Sequence, residues 1–144
     1  MVKLLWKDSL DDLSDCYNVR KEVFVDELGL NEENIFDYFD KDAHHLCVYN
    51  ESDNTIIASA RLFKSQNIFH CSSMCILQPH RKKGIGIVIM QGIELKAMLL
   101  GAPALFLRAT LETAAFYKKI GYEVVSDLES IETSNYVEMK KSLL

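Results

Sequence analysis

The chain has 144 residues, of which 49% are hydrophobic and 26% charged, and its net charge is −5. This length supports one domain with a substantial core, so residues 1–144 are interpreted as a single domain. The acidic balance argues against general nucleic-acid binding, because no broad basic surface is available to neutralise phosphates. No apolar run is long enough to cross a bilayer, so we expect no membrane association. No N-terminal signal sequence is visible either, since Lys7 and Asp8 follow the first apolar residues directly.

The first half of the chain predicts a strand, a helix and an irregular segment. Residues 2–6 form a short apolar run that is typical of a strand. Asp8 or Ser9 can cap a helix, which runs to the stop signal Gly29. The acidic segment 31–42 predicts a loop or short helix folded over a pocket. The predicted apolar face of the long helix comprises Leu13, Tyr17, Phe24 and Leu28.

The rest of the chain predicts a hairpin-rich sheet with two further helices. Residues 45–49, 55–63 and 68–77 predict three strands joined by polar turns. Residues 84–100 predict a helix that Gly101 ends. This order predicts an α/β (α+β) domain whose mixed sheet has helices on both faces. The remaining predicted elements are strand 104–109, helix 112–120, strand 122–126 and strand 136–140.

The four cysteines have no metal-ligand or redox spacing among them. Cys71 and Cys75 stand four apart in a predicted strand, so we expect them on the same face, packed side by side. A reduced, cytoplasmic chain without a metal site is the simplest interpretation.

The clearest chemical signal is the segment 81–86, Arg-Lys-Lys-Gly-Ile-Gly, between a predicted strand and a predicted helix. Gly84 and Gly86 allow a tight turn and a close approach of a ligand to the backbone. The first turn of the helix presents unpaired N–H groups and the positive end of its dipole, and three cations add charge. This combination predicts a site for phosphate or pyrophosphate. It matches neither the Walker P-loop nor the dinucleotide fingerprint.

Arg-x-x-Gly-x-Gly in this setting resembles the coenzyme A pyrophosphate loop of the GCN5-related N-acetyltransferases (GNAT). A second segment, Phe116-Tyr117 followed by Gly121-Tyr122, resembles the other motif of that family. The resemblance implies a mostly antiparallel central sheet flanked by helices, with splayed central strands that bind acyl-CoA. It also implies acetyl-CoA as cosubstrate, with no metal.

The resemblance further implies roles for individual positions. The backbone N–H of Ile76 would polarise the acetyl carbonyl, and Leu77 would pair with the pantetheine arm. Tyr117 would bind beside the thioester and protonate the departing thiolate as a general acid. Arg81 would help to hold the pyrophosphate by its charge. The N–H groups that would bind the pyrophosphate belong to Lys82, Lys83, Gly84, Ile85, Gly86 and Ile87.

A narrower resemblance points to the ElaA-like branch of small, mostly bacterial acetyltransferases. The residues that carry it are 20–27, Asp37, Asp40, His45-Leu46, 60–62 and 136–139. The chain departs from that branch at Leu28, Arg108, Thr110 and Tyr136. These positions lie on the acceptor side, so the acceptor does not carry over from the branch.

Several residues are candidates for the acceptor side of the reaction. Glu27 and His45 are candidate bases for the amine proton, and His70 is the titratable base on the long central strand besides its cysteines. His45 could equally fix the Asp40 loop by hydrogen bonds, and Glu27 could equally pair with an arginine. The predicted acceptor contacts are Glu27, Asp40, Arg108 and Tyr136.

Three functions are consistent with these features. The leading one is an acetyl-CoA-dependent N-acetyltransferase acting on the primary amine of a small molecule. A strand-end arginine at position 108 could bind a carboxylate or phosphate, which makes an amino sugar phosphate such as glucosamine 6-phosphate a candidate. The alternatives are a protein or peptide N-acetyltransferase and a non-catalytic acyl-CoA sensor. The family resemblance also predicts a possible homodimer through the C-terminal strands.

Overall fold

The computed structural model describes residues 1–126 and 135–144. The strands in these ranges are β1 Val2–Lys7, β2 His44–Asn50, β3 Ile56–Ser65, β4 Ile68–Ile76, β5 Ala104–Thr110, β6 Glu123–Val124 and β7 Tyr136–Ser142. They form one sheet in the order β1-β2-β3-β4-β5-β7-β6. Neighbouring strands are antiparallel except β4 and β5, which run parallel.

Helices lie on both faces of this sheet. The α-helices are α1 Ser14–Arg20, α2 Ile85–Leu99 and α3 Ala114–Lys119. A π-helix, Lys21–Glu27, continues α1 directly, and Gly29 with φ +72° follows its end. Short 3-10 helices span Glu32–Asn34, Tyr38–Asp42 and Gln78–His80.

The alternation along β2 shows how the layers are arranged. Leu46 and Val48 belong to the main hydrophobic core, which also contains side chains of α2 and α3. Cys47 and Tyr49 point to the other face, where they pack with Cys16 of α1. The sheet is therefore enclosed between α2 and α3 on one side and α1 on the other. The predicted fold class is confirmed.

The first helix differs from its prediction at its N-terminus. It begins at Ser14, because Asp8 and Asp12 bind nearby backbone groups in local turns instead of capping a longer helix. Asp8 accepts from the N–H of Leu10 at 2.9 Å, and Asp12 accepts from the N–H of Ser14 at 3.0 Å. Such local hydrogen bonds compete with helix formation.

The predicted apolar face of the same segment is wrong at Leu28, whereas Leu13, Tyr17 and Phe24 pack against buried clusters as predicted. Leu28 is 58% exposed, and the change from α to π geometry at Lys21 alters the spacing of side chains along the helix. The side chains that the helical segment buries are those of Cys16, Val19, Arg20 and Val23.

A β-bulge in β4 changes which face each of its side chains occupies. Ser59 pairs with Cys75 and Arg61 pairs with Ser72. An advance of two residues along β3 therefore corresponds to three residues along β4, which is the mark of a β-bulge. Ser73, within this bulge, has φ +54°. Cys71 consequently lies in the main core, whereas Cys75 packs under α1. The expectation that the two thiols pack side by side is therefore wrong.

The same region contains the predicted splay of the central strands. In the described strands, β4 pairs with β5 only at His70–Phe106 and Cys71–Leu107. Both strands continue beyond these pairs, β4 to Ile76 and β5 to Thr110. The backbone edges of β4 and β5 thus separate into a gap, which we call the split.

The described residues contain no helix long and apolar enough to cross a membrane. No group of His, Cys, Asp and Glu side chains within 1–126 and 135–144 could hold a metal ion. All four cysteines are buried free thiols.

Candidate active site

The loop that precedes α2 has the backbone geometry of an anion site. Lys82 and Gly84 both adopt left-handed conformations, with φ of +62° and +80°. Gly84 caps α2 without a side-chain hydrogen bond, and its carbonyl accepts from the N–H of Val88 at 3.4 Å. The preceding N–H groups of the first turn have no intrahelical acceptor and can bind an anion. These groups belong to Ile85, Gly86 and Ile87.

Gly86 allows α2 to approach α3 closely. A Cβ atom at this position would lie 3.1 Å from Cζ of Phe116, which is tighter than an ordinary contact. The loop is therefore packed against the helix that carries the aromatic pair Phe116-Tyr117.

We predict that Gly84→Ala weakens coenzyme A binding as well as folding. An alanine with φ near +80° is strained by roughly 1–2 kcal/mol, and relief of that strain would move the loop N–H groups. Gly101→Ala is the matched control, because Gly101 has φ +89° at the other end of α2. Both variants should lose similar stability in urea unfolding, but only Gly84→Ala should lose affinity in calorimetric titration with coenzyme A. Equal coenzyme A affinity in the two variants would contradict this assignment.

The Tyr117 hydroxyl lies beside a residue of β4. The ring of Tyr117 belongs to the main core, and its hydroxyl lies 3.9 Å from the sulfur of Met74. Met74 stands between the β-bulge and Ile76, on the stretch of β4 that borders the split. Burial, with a smaller contribution from Cys71, raises the pKa of Tyr117 above its ordinary value. The phenol thus stays protonated near neutral pH and can donate to a leaving group in the split.

The edge of β4 presents Ile76 to the split. The N–H of Leu77 donates to the carbonyl of Ile57 on β3 at 2.9 Å. Because backbone N–H groups alternate in direction along a strand, the N–H of Ile76 points away from β3 and toward the split. The N–H of Ile76 is thus open to a ligand in the split, and its role at the acyl carbonyl stays a prediction. The geometry does not support the N–H of Leu77 as a contact for the pantetheine arm, because that group is already bonded.

Arg81 and Glu27 bind each other at the mouth of the split. The two terminal nitrogens of Arg81 each donate to a carboxylate oxygen of Glu27 at 2.7 Å. Nε of Arg81 donates to the carbonyl of Ile76, also at 2.7 Å. The hydrogen bond from Arg81 lowers the pKa of Glu27. The alternative interpretation, an ion pair of Glu27 with an arginine, therefore describes this structure, and Arg81 is engaged away from any phosphate.

Asp40 and His45 lie in a buried charged cluster and not on an open acceptor surface. Nδ1 of His45 is 3.0 Å from Arg20, and Nε2 is 2.9 Å from the carbonyl oxygen of Asp40. Since arginine only donates, Nδ1 of His45 accepts this hydrogen bond, and Nε2 donates to the carbonyl of Asp40. The Asp40 carboxylate accepts from Arg20 at 2.7 Å and from Arg61 at 3.1 Å. Both predicted site residues are thus enclosed, and His45 fixes the Asp40 loop by hydrogen bonds.

This buried cluster explains the narrower sequence resemblance. Asp37 caps the 3-10 helix Tyr38–Asp42 and also accepts hydrogen bonds from Arg61. The residues that resemble the ElaA-like branch hold α1, this 3-10 helix and the sheet together. The members of the cluster are Arg20, Asp37, Asp40, His45 and Arg61.

A row of aromatic side chains that was not predicted from the sequence crosses the sheet face opposite α2. The rings of Phe39 and Phe63 are 4.5 Å apart, those of Phe63 and His70 are 5.0 Å apart, and those of His70 and Phe106 are 6.2 Å apart. A sequence signal existed, because the two-residue turn at 66–67 pairs Phe63 with His70. Burial, opposed by Glu138, lowers the pKa of His70, which favours a neutral ring that can accept a proton.

Arg108 and Tyr136 lie on this same face, on the β5 side of the split. The guanidinium carbon of Arg108 is 5.2 Å from the ring centroid of Tyr136. Their neighbours Leu107 and Val137 are buried in the main core, so Arg108 and Tyr136 point to the opposite face. The structure thus brings Arg108, Tyr136 and His70 to the face that carries the aromatic row, whereas Asp40 and His45 are enclosed in the buried cluster.

A central sheet that opens beside an anion-binding loop is the arrangement that the family resemblance implies, and the comparisons with known proteins test that resemblance. The protein family described as "Acetyltransferase (GNAT) domain" matches residues 12–143 of this chain. The chain belongs to the GNAT acetyltransferase family. Among curated relatives, YjcF of Bacillus subtilis (strain 168), named an uncharacterized N-acetyltransferase, is 31% identical over 122 residues, covering 85% of this chain and 86% of YjcF. YyaT from the same strain, named an uncharacterized protein, is 31% identical over 80% of this chain and 78% of YyaT.

Solved structures show the same fold. An acyl-CoA N-acyltransferase from Pseudomonas aeruginosa superposes with a TM-score of 0.85 at 21% identity, over 99% of this chain and 100% of that chain. ElaA from Escherichia coli gives a TM-score of 0.80 at 18% identity, over 99% of this chain and 100% of ElaA. A streptothricin acetyltransferase from Bacillus anthracis, solved in complex with acetyl coenzyme A, gives a TM-score of 0.61 at 16% identity. The match covers 70% of this chain and 62% of that chain. At these identities the likeness supports the fold.

Proposed function

We propose that the protein transfers the acetyl group of acetyl-CoA to the primary amine of a small molecule bound over the aromatic row. The observation that carries this proposal is the hydroxyl of Tyr117 beside Met74, at the edge of a split that begins next to His70. The pantetheine arm would enter the split, and the pyrophosphate would bind the N–H groups at the start of α2. The acceptor would approach from the sheet face opposite α2, where the aromatic row lies.

Each residue at the split would contribute one step. The N–H of Ile76 would polarise the thioester carbonyl, which the amine nitrogen attacks. When the carbon–sulfur bond breaks, Tyr117 would give its proton to the sulfur. The proton lost by the amine would go to His70, to Glu27 or to water, since both side chains border the approach to the split. The net reaction converts thioester and amine into amide and thiol.

Arg108 is the basis for proposing a phosphorylated acceptor. It is exposed on the acceptor face, stacked on Tyr136 and opposite Glu138 across β5 and β7. An arginine fork is suited to phosphate, so an amino sugar phosphate such as glucosamine 6-phosphate is the proposed acceptor class.

We predict that Arg108→Ala raises the KM for a phosphorylated amino sugar by about tenfold to a hundredfold, because charged hydrogen bonds contribute roughly 1.5–3 kcal/mol. The KM for the same sugar without phosphate should hardly change. Lys3→Ala is the matched control, since it removes one cation from β1 at the far edge of the sheet. Steady-state kinetics with the sugar pair would measure both values. An unchanged KM for the phosphorylated sugar would refute the role of Arg108.

The test of the proposed function is acetyl-CoA-dependent thiol release over a panel of amines. The panel contains amino sugars, their phosphates, polyamines, amino acids and basic peptides. Fast release with a small amine supports the proposal. Release confined to peptides would replace it by protein or peptide acetylation, and coenzyme A binding without turnover would replace it by an acyl-CoA sensor. Cytoplasmic location and a homodimer through the C-terminal strands stay predictions, the latter testable by light scattering.

A further inference from the structure

We propose that Arg81 and Glu27 form a latch that closes the split in the free enzyme and opens when acyl-CoA binds. The inference rests on the proposed entry of the pantetheine arm into the split. It assigns Glu27 to the acceptor side only after the cosubstrate is bound. Arg81 is then a positioning residue whose partner changes during the reaction cycle.

Arg81 occupies a backbone group that the entering arm would need. The carbonyl of Ile76 accepts a hydrogen bond from Nε of Arg81 at 2.7 Å, so this acceptor on the open edge of β4 is already used. A pantetheine arm carries amide groups, which bind a strand edge through its N–H and C=O groups. A carbonyl oxygen has two lone pairs, but an arm that pairs along this edge would approach the Ile76 carbonyl from the side that Arg81 occupies, so it would compete with Arg81.

The geometry of arginine links this competition to Glu27. One planar guanidinium group makes all three contacts, two to the Glu27 carboxylate and one to Ile76. Because the donors of this group are fixed relative to one another, losing the contact with Ile76 disturbs both contacts with Glu27. The two side chains are 35% and 32% exposed, so water can replace these hydrogen bonds when the pair opens.

Both partners have a new role available once the latch opens. Arg81 is the first residue of the loop 81–86, so the pyrophosphate supplies a substitute anion next to its own backbone. Glu27 loses its cation at the mouth of the split, where the acceptor amine must arrive. A carboxylate without its counterion attracts an ammonium group. The structure thus predicts that acyl-CoA binds first and prepares the acceptor site.

Calorimetric titration with coenzyme A tests the latch without any acceptor. Glu27→Gln weakens the competitor for Arg81, so its Kd for coenzyme A should fall about threefold to fivefold below wild type, which is the range of an exposed ion pair. Glu27→Ala should show at least the same gain. Asp26→Asn is the matched control, because it removes one exposed carboxylate from the adjacent position of the π-helix. In turnover, Glu27→Gln should raise the KM for the amine while Asp26→Asn leaves it unchanged.

Two results would overturn the latch, and they differ in what else they affect. If Glu27→Gln and Glu27→Ala bind coenzyme A no more tightly than Asp26→Asn, the latch is refuted and the proposed function stands. If wild type and all three variants fail to bind coenzyme A, the proposed function fails and the latch fails with it. Tighter coenzyme A binding in both Glu27 variants, together with a raised amine KM in Glu27→Gln, supports the latch.

Discussion

Replacing Tyr117 by Phe is expected to lower kcat by about a hundredfold or more, within the range that general acid catalysis contributes. The variant keeps the buried ring in the main core and removes only the hydroxyl beside Met74. Without that proton donor, the thiolate must leave unprotonated. The KM for acetyl-CoA should stay near that of wild type, because the loop and the edge of β4 are unchanged.

The pH profile provides a second measure of the same residue. Burial raises the pKa of Tyr117 above the ordinary value of about 10, so the acid form is present throughout the neutral range. The wild-type rate should therefore show no decline from loss of this proton between neutral pH and about pH 9. A decline centred near neutral pH that disappears in Tyr117→Phe would contradict the raised pKa.

Tyr122→Phe is the matched control for Tyr117→Phe. Its ring packs against that of Tyr117, but its hydroxyl donates to Glu94 at 2.7 Å and not toward the split. Tyr122→Phe should therefore keep a kcat close to that of wild type, even if it loses some stability. A Tyr117→Phe variant that retains a third or more of the wild-type kcat would remove Tyr117 from the mechanism.

Asp40→Ala is expected to lower the free energy of unfolding by about 3–5 kcal/mol, because removing one member of a buried ion pair leaves charge uncompensated. The Asp40 side chain is 8% exposed and accepts from both Arg20, which is fully buried, and Arg61. The variant leaves two buried guanidinium groups without this anion. Urea unfolding of Asp40→Ala against wild type would measure the loss.

Asp42→Ala is the control for charge and position, since Asp42 is exposed at the end of the same 3-10 helix. It should change the free energy of unfolding by no more than about 0.5 kcal/mol. Asp40→Ala would be assigned no special role if it proved as stable as Asp42→Ala.

The same cluster predicts how stability depends on pH. Burial alone would raise the pKa of Asp40, but the charges and hydrogen bonds of Arg20 and Arg61 outweigh it and hold the pKa below its ordinary value. A lowered pKa in the folded state means that the contribution of Asp40 is complete above about pH 4 and is lost as pH falls through the folded value. The acid loss of stability should be smaller in Asp40→Ala than in wild type.

The order of elements and the cofactor loop could be predicted from the sequence because their signals are local. Gly84 and Gly101 mark the two ends of α2, and both have the positive φ that favours glycine. The faces of β4 could not be predicted in this way. The alternation that placed Cys71 and Cys75 together assumes a regular strand, and the bulge at Ser73 depends on how β4 pairs with β3.

The acceptor side was harder to predict because its contacts are distant in sequence. Glu27 and Arg81 are 54 positions apart, so neither residue alone indicates that the other is its partner. Asp40 and His45 were placed correctly near each other, but their enclosure depends on Arg20 and Arg61 from two other elements. Polar residue types indicate that a charged cluster exists, whereas burial decides whether it binds a ligand or supports the fold.

The most direct test of this account is a crystal structure of the protein with bound coenzyme A. We predict that the arm lies between β4 and β5, with its sulfur within hydrogen-bonding distance of the Tyr117 hydroxyl and the N–H of Ile76 directed at the site of the acyl carbonyl. The guanidinium of Arg81 should have left the carbonyl of Ile76. Coenzyme A bound outside the split, or with its sulfur remote from Tyr117, would contradict the proposed mechanism.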